Sequence, residues 1–371
     1  MLNRKNLKMK IGILVYKMSG VGGVEKITSE KINAWIESFG YDVVLITKNE
    51  VEAPFFYNIN EKCKRYNLNV PAKLRSGVKN YMKNIPSAFK LYIELNKVMR
   101  SEKIDVLFTT MRGIDSLVVP FVKIRIPKVS EIHGSGFAHN RKAWGLKRLI
   151  VNRYKKFVVL NKSEVDYYPL NNITVIPNFI DNSDYNYSKN DKKNIIISAG
   201  RISREKQFDH LIDIWSMIAP KHNQWEVHLY GDGPIEILRE KIDAKGLQNS
   251  FKIFPSTTQI KDKMQEASIF ALVSATESFS MVLLEAMNAK LPIVSYDSPN
   301  GPKNIVTDKK DGFIIPLNDK VAFAEKLELL IDDAFLRENF INNQKVKLDM
   351  FSKKRVMNQW NDLILEILAK K

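Results

Sequence analysis

Glu277 and Glu285 stand eight residues apart in the run Glu277-Ser278-Phe279-Ser280-Met281-Val282-Leu283-Leu284-Glu285, where an apolar segment passes into a helical one. A carboxylate at such a junction can bind ligand hydroxyls without being consumed by core packing. Residues 268–273 (SIFALV) read as a buried parallel strand, and residues 280–289 as a helix with Leu283, Leu284 and Met287 facing a core. Glu277 is thereby placed at the C-terminal end of a strand, the edge at which open α/β sheets bind ligands. The helix that follows offers first-turn N–H groups suited to a phosphate. An acid there can also serve the helix dipole alone, so the reading needs further residues.

Two more strand ends supply them. Residues 194–198 (NIIIS) form a short apolar run followed by Gly200-Arg201-Ile202-Ser203-Arg204-Glu205-Lys206. Arg201 offers a planar fork of donors and Lys206 a mobile point charge, two ways of holding a diphosphate. A third run, residues 225–230 (WEVHLY), ends in Gly231-Asp232-Gly233-Pro234. A cationic pair, a glycine turn and a carboxylate pair together suit a phosphorylated ligand rich in hydroxyls, which is a description of a nucleotide sugar. Nearer the N-terminus, Gly20-Val21-Gly22-Gly23 lies between a strand and a helix, so Gly22 and Gly23 let backbone approach a phosphate or a sugar. It has neither the spacing of a dinucleotide fingerprint nor the lysine of a P-loop. His133 closes a short strand just before Gly134 and Gly136. With five histidines, one cysteine and no Asp-x-Asp, the sequence assembles no metal site and calls for no cofactor.

The segments 200–206, 231–234 and 277–287, with Pro292-Ile293-Val294 after them, resemble the donor domain of the retaining glycosyltransferases of family 4. The glycine loop and His133 extend the resemblance over most of the chain. It implies the GT-B architecture, an α/β fold of two Rossmann-like domains facing across a cleft with a C-terminal crossover helix. It also implies that Arg201 and Lys206 hold the donor diphosphate, Glu277 the hydroxyls of the transferred sugar and Glu285 the ribose. Gly22, Gly23, Gly231, Phe279, Ser280 and Met281 would complete the donor site, and His133 would position the reacting sugar. The catalytic set is then His133, Glu277, Arg201 and Lys206. The implied activity is metal-independent transfer of a hexose or N-acetylhexosamine from a UDP-sugar or other nucleoside-diphosphate sugar to a lipid-linked oligosaccharide or polysaccharide, as in bacterial surface glycan synthesis. Two positions depart from the pattern: Ser280 stands where glycine is usual, and Ala289-Lys290 where a small residue and glycine are usual.

The elements that must carry these residues alternate as expected for two such halves. Strands at 11–16, 42–47, 106–110, 128–132 and 156–160 alternate with helices near 24–39 and 86–100. At 371 residues the chain exceeds the size at which one core usually divides. The expected parts are an acceptor-binding domain over 1–181, a donor domain over 182–355 and a crossover helix over 356–371. A lone Cys63 gives no disulfide framework, and no run reads as a signal peptide or a membrane span. The net charge of +17 is unevenly placed: residues 1–180 hold 31 Lys and Arg against 14 Asp and Glu, and residues 181–371 hold 27 against 27. Seven basic residues between Arg141 and Lys156 are interleaved with Trp144, Leu149 and Tyr154. That pattern fits either a solvated face or an anionic membrane surface. The expected location is cytoplasmic, peripheral on the inner face of the cell membrane.

Other classes fit less of the sequence. A GT-B nucleotide-sugar epimerase would use the donor set without an acceptor. A nucleic-acid binder would account for the basic half but not for the neutral, motif-bearing one, and no nucleic-acid partner is expected. An NAD-dependent oxidoreductase lacks its fingerprint.

Overall fold

The structure is a computed structural model that describes residues 9–20, 22–50, 55–70, 84–110, 115–134, 145–181 and 192–369. Arg141, Lys142 and Trp144 of the basic segment, and residues 182–191 of the polar stretch between the halves, lie outside the described residues.

The chain divides into two compact units, one of residues 1–133, 139–176 and 357–371, the other of residues 134–138 and 177–356. In the first, the described residues form seven parallel strands, β1 (Lys10–Val15), β2 (Asp42–Thr47), β3 (Lys64–Asn67), β4 (Val106–Thr109), β5 (Lys128–Glu131), β6 (Lys156–Val159) and β7 (Ile173–Val175), in the order β3-β2-β1-β4-β5-β6-β7. Ile11, Ile13, Leu14, Val43, Leu45, Val106 and Phe108 are buried, as strands covered on both faces require. The register pairs Ile11 with both Val43 and Val106, which keeps the strand ends level at one edge.

Among the described residues, the second unit holds six parallel strands: β8 (Ile195–Ala199), β9 (Glu226–Tyr230), β10 (Phe251–Phe254), β11 (Ile269–Leu272), β12 (Ile293–Tyr296) and β13 (Phe313–Ile315), ordered β10-β9-β8-β11-β12-β13. The chain winds outward from β8 in one direction and from β11 in the other. Strand order therefore reverses between these two, and their C-terminal ends are the switch point at which such sheets bind ligands. The two sheets with their flanking helices and C-terminal helices form the α/β, GT-B-like architecture that the motif order implies. Of the last helix, Lys353–Ala369, the part from Met357 belongs to the first unit, where the Trp360 ring packs edge-on against Trp35 and Phe108.

Candidate functional site

In the second unit the expected residues come from adjacent strand ends. After β8 the backbone is stitched to the neighbouring loop, with Gly200 N–H donating to the Tyr230 carbonyl and Ile202 N–H to that of Asp232. The two turns approach so closely that a Cβ on Gly231 would lie 2.0 Å from the Gly200 carbonyl oxygen, so no larger residue fits there. On the other side, Ala275 N–H donates to the Glu205 carbonyl, tying the loop of Arg201 and Lys206 to the loop after β11. Lys206 Nζ then reaches Glu277 Oε1 at 2.6 Å, an ion pair across the switch point. Arg201, on the same loop as Lys206, is exposed.

The helix of Met281–Asn288 starts from Ser280, whose backbone is left-handed at φ 63°, and its side chain makes no cap. That conformation is why glycine suits this position, and a serine here carries the strain of an L residue. Leu283 N–H donates to the Ser280 carbonyl, and Glu285 lies within the helix. The turn at Gly301 packs on the same spot: a Cβ there would meet the Glu277 Cβ at 2.4 Å and the Ser280 Oγ at 2.9 Å. The hydroxyls of Ser274 and Ser280, in the segment after β11, and of Ser298, after β12, are buried without a hydrogen-bond partner. Phe279 is buried with its ring edge-on to Phe351, so this position offers a ligand backbone rather than side chain.

The first unit places Gly22 and Gly23 at the start of the Gly23–Glu37 helix, and the preceding turn is braced where Glu50 accepts from the N–H groups of Met18 and Ser19 at 2.6 and 3.1 Å. The Glu25 carboxylate lies against this loop, where a Cβ on Gly20 or Gly22 would meet it at 2.5 and 2.6 Å. An acid in that place suits hydroxyls better than phosphate. His133 follows β5, and its Nε2 lies 3.2 Å from Glu131 Oε2. Glu131 in turn accepts from Lys31 Nζ at 2.6 Å on both oxygens. Sequence reading gave Lys31 and Glu131 no role, although Lys31 falls on the inward stripe of its helix with Ile27 and Trp35, where a lysine is anomalous. Among the described residues, no group of three or more His, Cys, Asp or Glu side chains is placed to hold a metal ion, and no helix is long and apolar enough to cross a membrane.

Comparison with known proteins covers the same two units. Residues 21–184 match the family described as Glycosyltransferase Family 4, and residues 180–347 match Glycosyl transferases group 1. A protein of Haemophilus influenzae described as an uncharacterized glycosyltransferase is 26% identical over 367 residues, spanning 96% of this chain and 99% of the relative. The GalNAc-α-(1→4)-GalNAc-α-(1→3)-diNAcBac-PP-undecaprenol α-1,4-N-acetyl-D-galactosaminyltransferase of Campylobacter jejuni is 23% identical over 97% of this chain and 99% of its own length. Among solved structures, Anabaena HepE in complex with UDP superposes with a TM-score of 0.78 at 17% identity, over 96% of this chain and all of that one. With the two family matches running together from residue 21 to residue 347, and with the strand ends arranged as described, this chain is homologous in sequence family and in structure to the glycosyltransferases of family 4.

Proposed function

We propose that this glycosyltransferase moves a hexose or N-acetylhexosamine from a UDP-sugar to a hydroxyl of a lipid-linked or polysaccharide acceptor, with retention of anomeric configuration and without a metal ion. The observation that carries the reading is the meeting of Lys206 and Glu277 across the β8/β11 switch point. One group there is fit for a diphosphate and the other for sugar hydroxyls. The Campylobacter relative's undecaprenol-linked substrate and the UDP held by HepE support the acceptor class and the donor.

Arg201 and Lys206 hold the diphosphate, with the N–H groups at Ser280 and Met281 and the backbone at Phe279 adding dipoles. The leaving group gains negative charge as the glycosidic bond breaks, and cations fixed in advance stabilise that charge without a divalent ion. Glu277 binds the hydroxyls of the transferred sugar, Glu285 the ribose, and Gly231 gives the nucleotide close passage. In the N-terminal unit, Gly22, Gly23 and His133 position hydroxyls of acceptor and sugar. Glu277 is occupied by hydroxyls, so the acceptor attacks from the face the phosphate leaves, and a departing phosphate oxygen takes its proton. Residues 1–181 bind the acceptor and 182–355 the donor, and the basic N-terminal half associates with the anionic inner surface of the cell membrane.

The test is mass spectrometry of products formed from UDP-glucose, UDP-galactose, UDP-N-acetylglucosamine and UDP-N-acetylgalactosamine with a bacterial membrane lipid fraction. A lipid or glycan heavier by one hexose or N-acetylhexosamine is expected, with its new anomeric centre in the donor's configuration by NMR. A free altered sugar with no glycosylated acceptor would make the protein an epimerase instead.

A further inference from the structure

The first unit contains a buried ion pair, of a kind that seldom adds net stability over apolar packing. Lys31 and Glu131 have side chains 2% and 3% exposed, and Lys31 Nζ is 2.6 Å from each carboxylate oxygen. The ammonium lies 3.7 Å from the ring centroid of Trp360, 5.0 Å from Trp35 and 5.7 Å from Phe108. Those three rings come from the C-terminal helix, the Gly23–Glu37 helix and β4. Aromatic faces compensate part of the hydration the ammonium has lost. Even so, removing two charges from water cancels most of what their attraction returns, and well-packed apolar residues often serve as well or better. What an apolar pair could not do is hold a charged acceptor against the next residue that matters. Glu131 Oε2, gripped by Lys31, is also the atom 3.2 Å from His133 Nε2.

We propose that Lys31 and Glu131 are positioning residues for His133: the lysine fixes the carboxylate, and the carboxylate fixes the imidazole with its proton on Nε2. This deepens the reading in which His133 positions the donor sugar, and it rests on that reading for its consequence in turnover. The ring orientation of a histidine and its tautomer are set by the hydrogen bond one nitrogen makes. An ionised carboxylate accepts only, so the nitrogen facing it must carry hydrogen. Burial works to raise the Glu131 carboxyl, yet Lys31 and His133 outweigh it and hold the group below its ordinary value. Burial also pulls the Lys31 ammonium below its ordinary value, against the pull of Glu131. Trp360 extends the chain of contact to the C-terminal helix, which thus backs the lysine that backs the carboxylate.

The experiment compares the full chain with a Lys31→Met/Glu131→Leu double variant, which leaves no lone buried charge. Nitrogen-15 NMR of the imidazoles, with the His133 signals assigned from their loss in His133→Ala, reads the tautomer without any ligand. The wild-type ring should be Nε2-protonated when neutral, and the double variant a mixture of tautomers at an unfolding temperature close to wild type. UDP release from the four UDP-sugars above should show kcat lowered by about 10- to 100-fold in the double variant with KM for the donor nearly unchanged, the signature of lost orientation. A single Nε2-protonated ring in the double variant would overturn the proposal, as would unchanged kcat while His133→Ala is inactive. If His133→Ala itself keeps its turnover, the role of His133 in transfer fails, and the NMR comparison still decides whether the pair orients the ring. Should the double variant not fold, Glu131→Gln gives the same two readouts with one charge kept.

Discussion

At the scale of single residues, two groups proposed for the donor site hold one another. Lys206 Nζ and Glu277 Oε1 are 2.6 Å apart, with side chains 25% and 9% exposed. A diphosphate that uses Lys206 must therefore share it with Glu277 or take it away. Glu277→Gln should release the lysine, so free UDP, which has no sugar for Glu277 to bind, should bind slightly tighter, by up to about 1 kcal/mol for a partly exposed pair. Turnover with the intact donor should fall. Calorimetry with UDP alone checks the sign: a loss of UDP affinity as large as the loss for the donor would mean that Glu277 binds nucleotide rather than sugar. The pairing itself was not visible in the sequence, because 71 positions separate its members and no spacing rule connects two strand ends. The same holds for Lys31 and Glu131, 100 positions apart. The places of Arg201, Lys206 and Glu277 after strand ends, and of Glu285 on the helix that follows, were legible in the sequence. Their mutual contacts were not.

At the scale of elements, two helices of the second unit end in the same hydrogen-bonded motif with different residues at its left-handed position. After Glu236–Ala244, Gly246 has φ 67°, with Gly246 N–H bonded to the Asp243 carbonyl and Leu247 N–H to that of Ile242. After Met281–Asn288, Lys290 has φ 54°, with Lys290 N–H bonded to the Met287 carbonyl and Leu291 N–H to that of Ala286. Glycine is the residue this motif favours, and a left-handed L residue costs about 1 to 2 kcal/mol. Lys290→Gly should thus stabilise the protein by about 1 kcal/mol after allowing for the looser unfolded chain. Lys192 adds a pH dependence. Burial and, secondarily, Lys290 lower its ammonium to about 8 from 10.5. Below that value the folded state bears the cost of the charge, and stability from this group returns as pH rises toward 10.5. The gain from Lys290→Gly should accordingly be larger at pH 7 than at pH 9.5, as urea unfolding would show; a loss of stability at both would contradict the assignment of strain. Buried strands were readable as elements because β1, β2, β4, β8, β11 and β12 are apolar runs between turns. β3, with the sequence Lys-Arg-Tyr-Asn on the sheet edge and mostly exposed, carries no such pattern and was missed.

At the scale of the whole molecule, the charge split sets the expected partners. The excess of basic residues in 1–180 over a balanced 181–371 predicts salt-sensitive binding to anionic surfaces through the N-terminal half. Arg148 and Leu149 are exposed, and the Arg153 guanidinium lies over the Phe121 ring at 4.7 Å, with Phe121 itself 45% exposed. Basic groups beside apolar ones suit a lipid headgroup region. Arg148→Glu with Lys155→Glu should reduce co-sedimentation with anionic vesicles at low salt and leave UDP binding unchanged. Equal partitioning onto neutral and anionic vesicles would return this surface to a solvated basic face.

The central claim is that the strand ends around the β8/β11 switch point hold a nucleoside diphosphate through Arg201 and Lys206, with no metal between. Calorimetric titration of UDP into the full chain in excess EDTA tests it most directly. Binding should be seen there, and Arg201→Ala and Lys206→Ala should each weaken it by about 1 to 3 kcal/mol, the loss of a charge-assisted hydrogen bond. Affinity unchanged in both variants, or binding that needs added magnesium or manganese, would contradict the account.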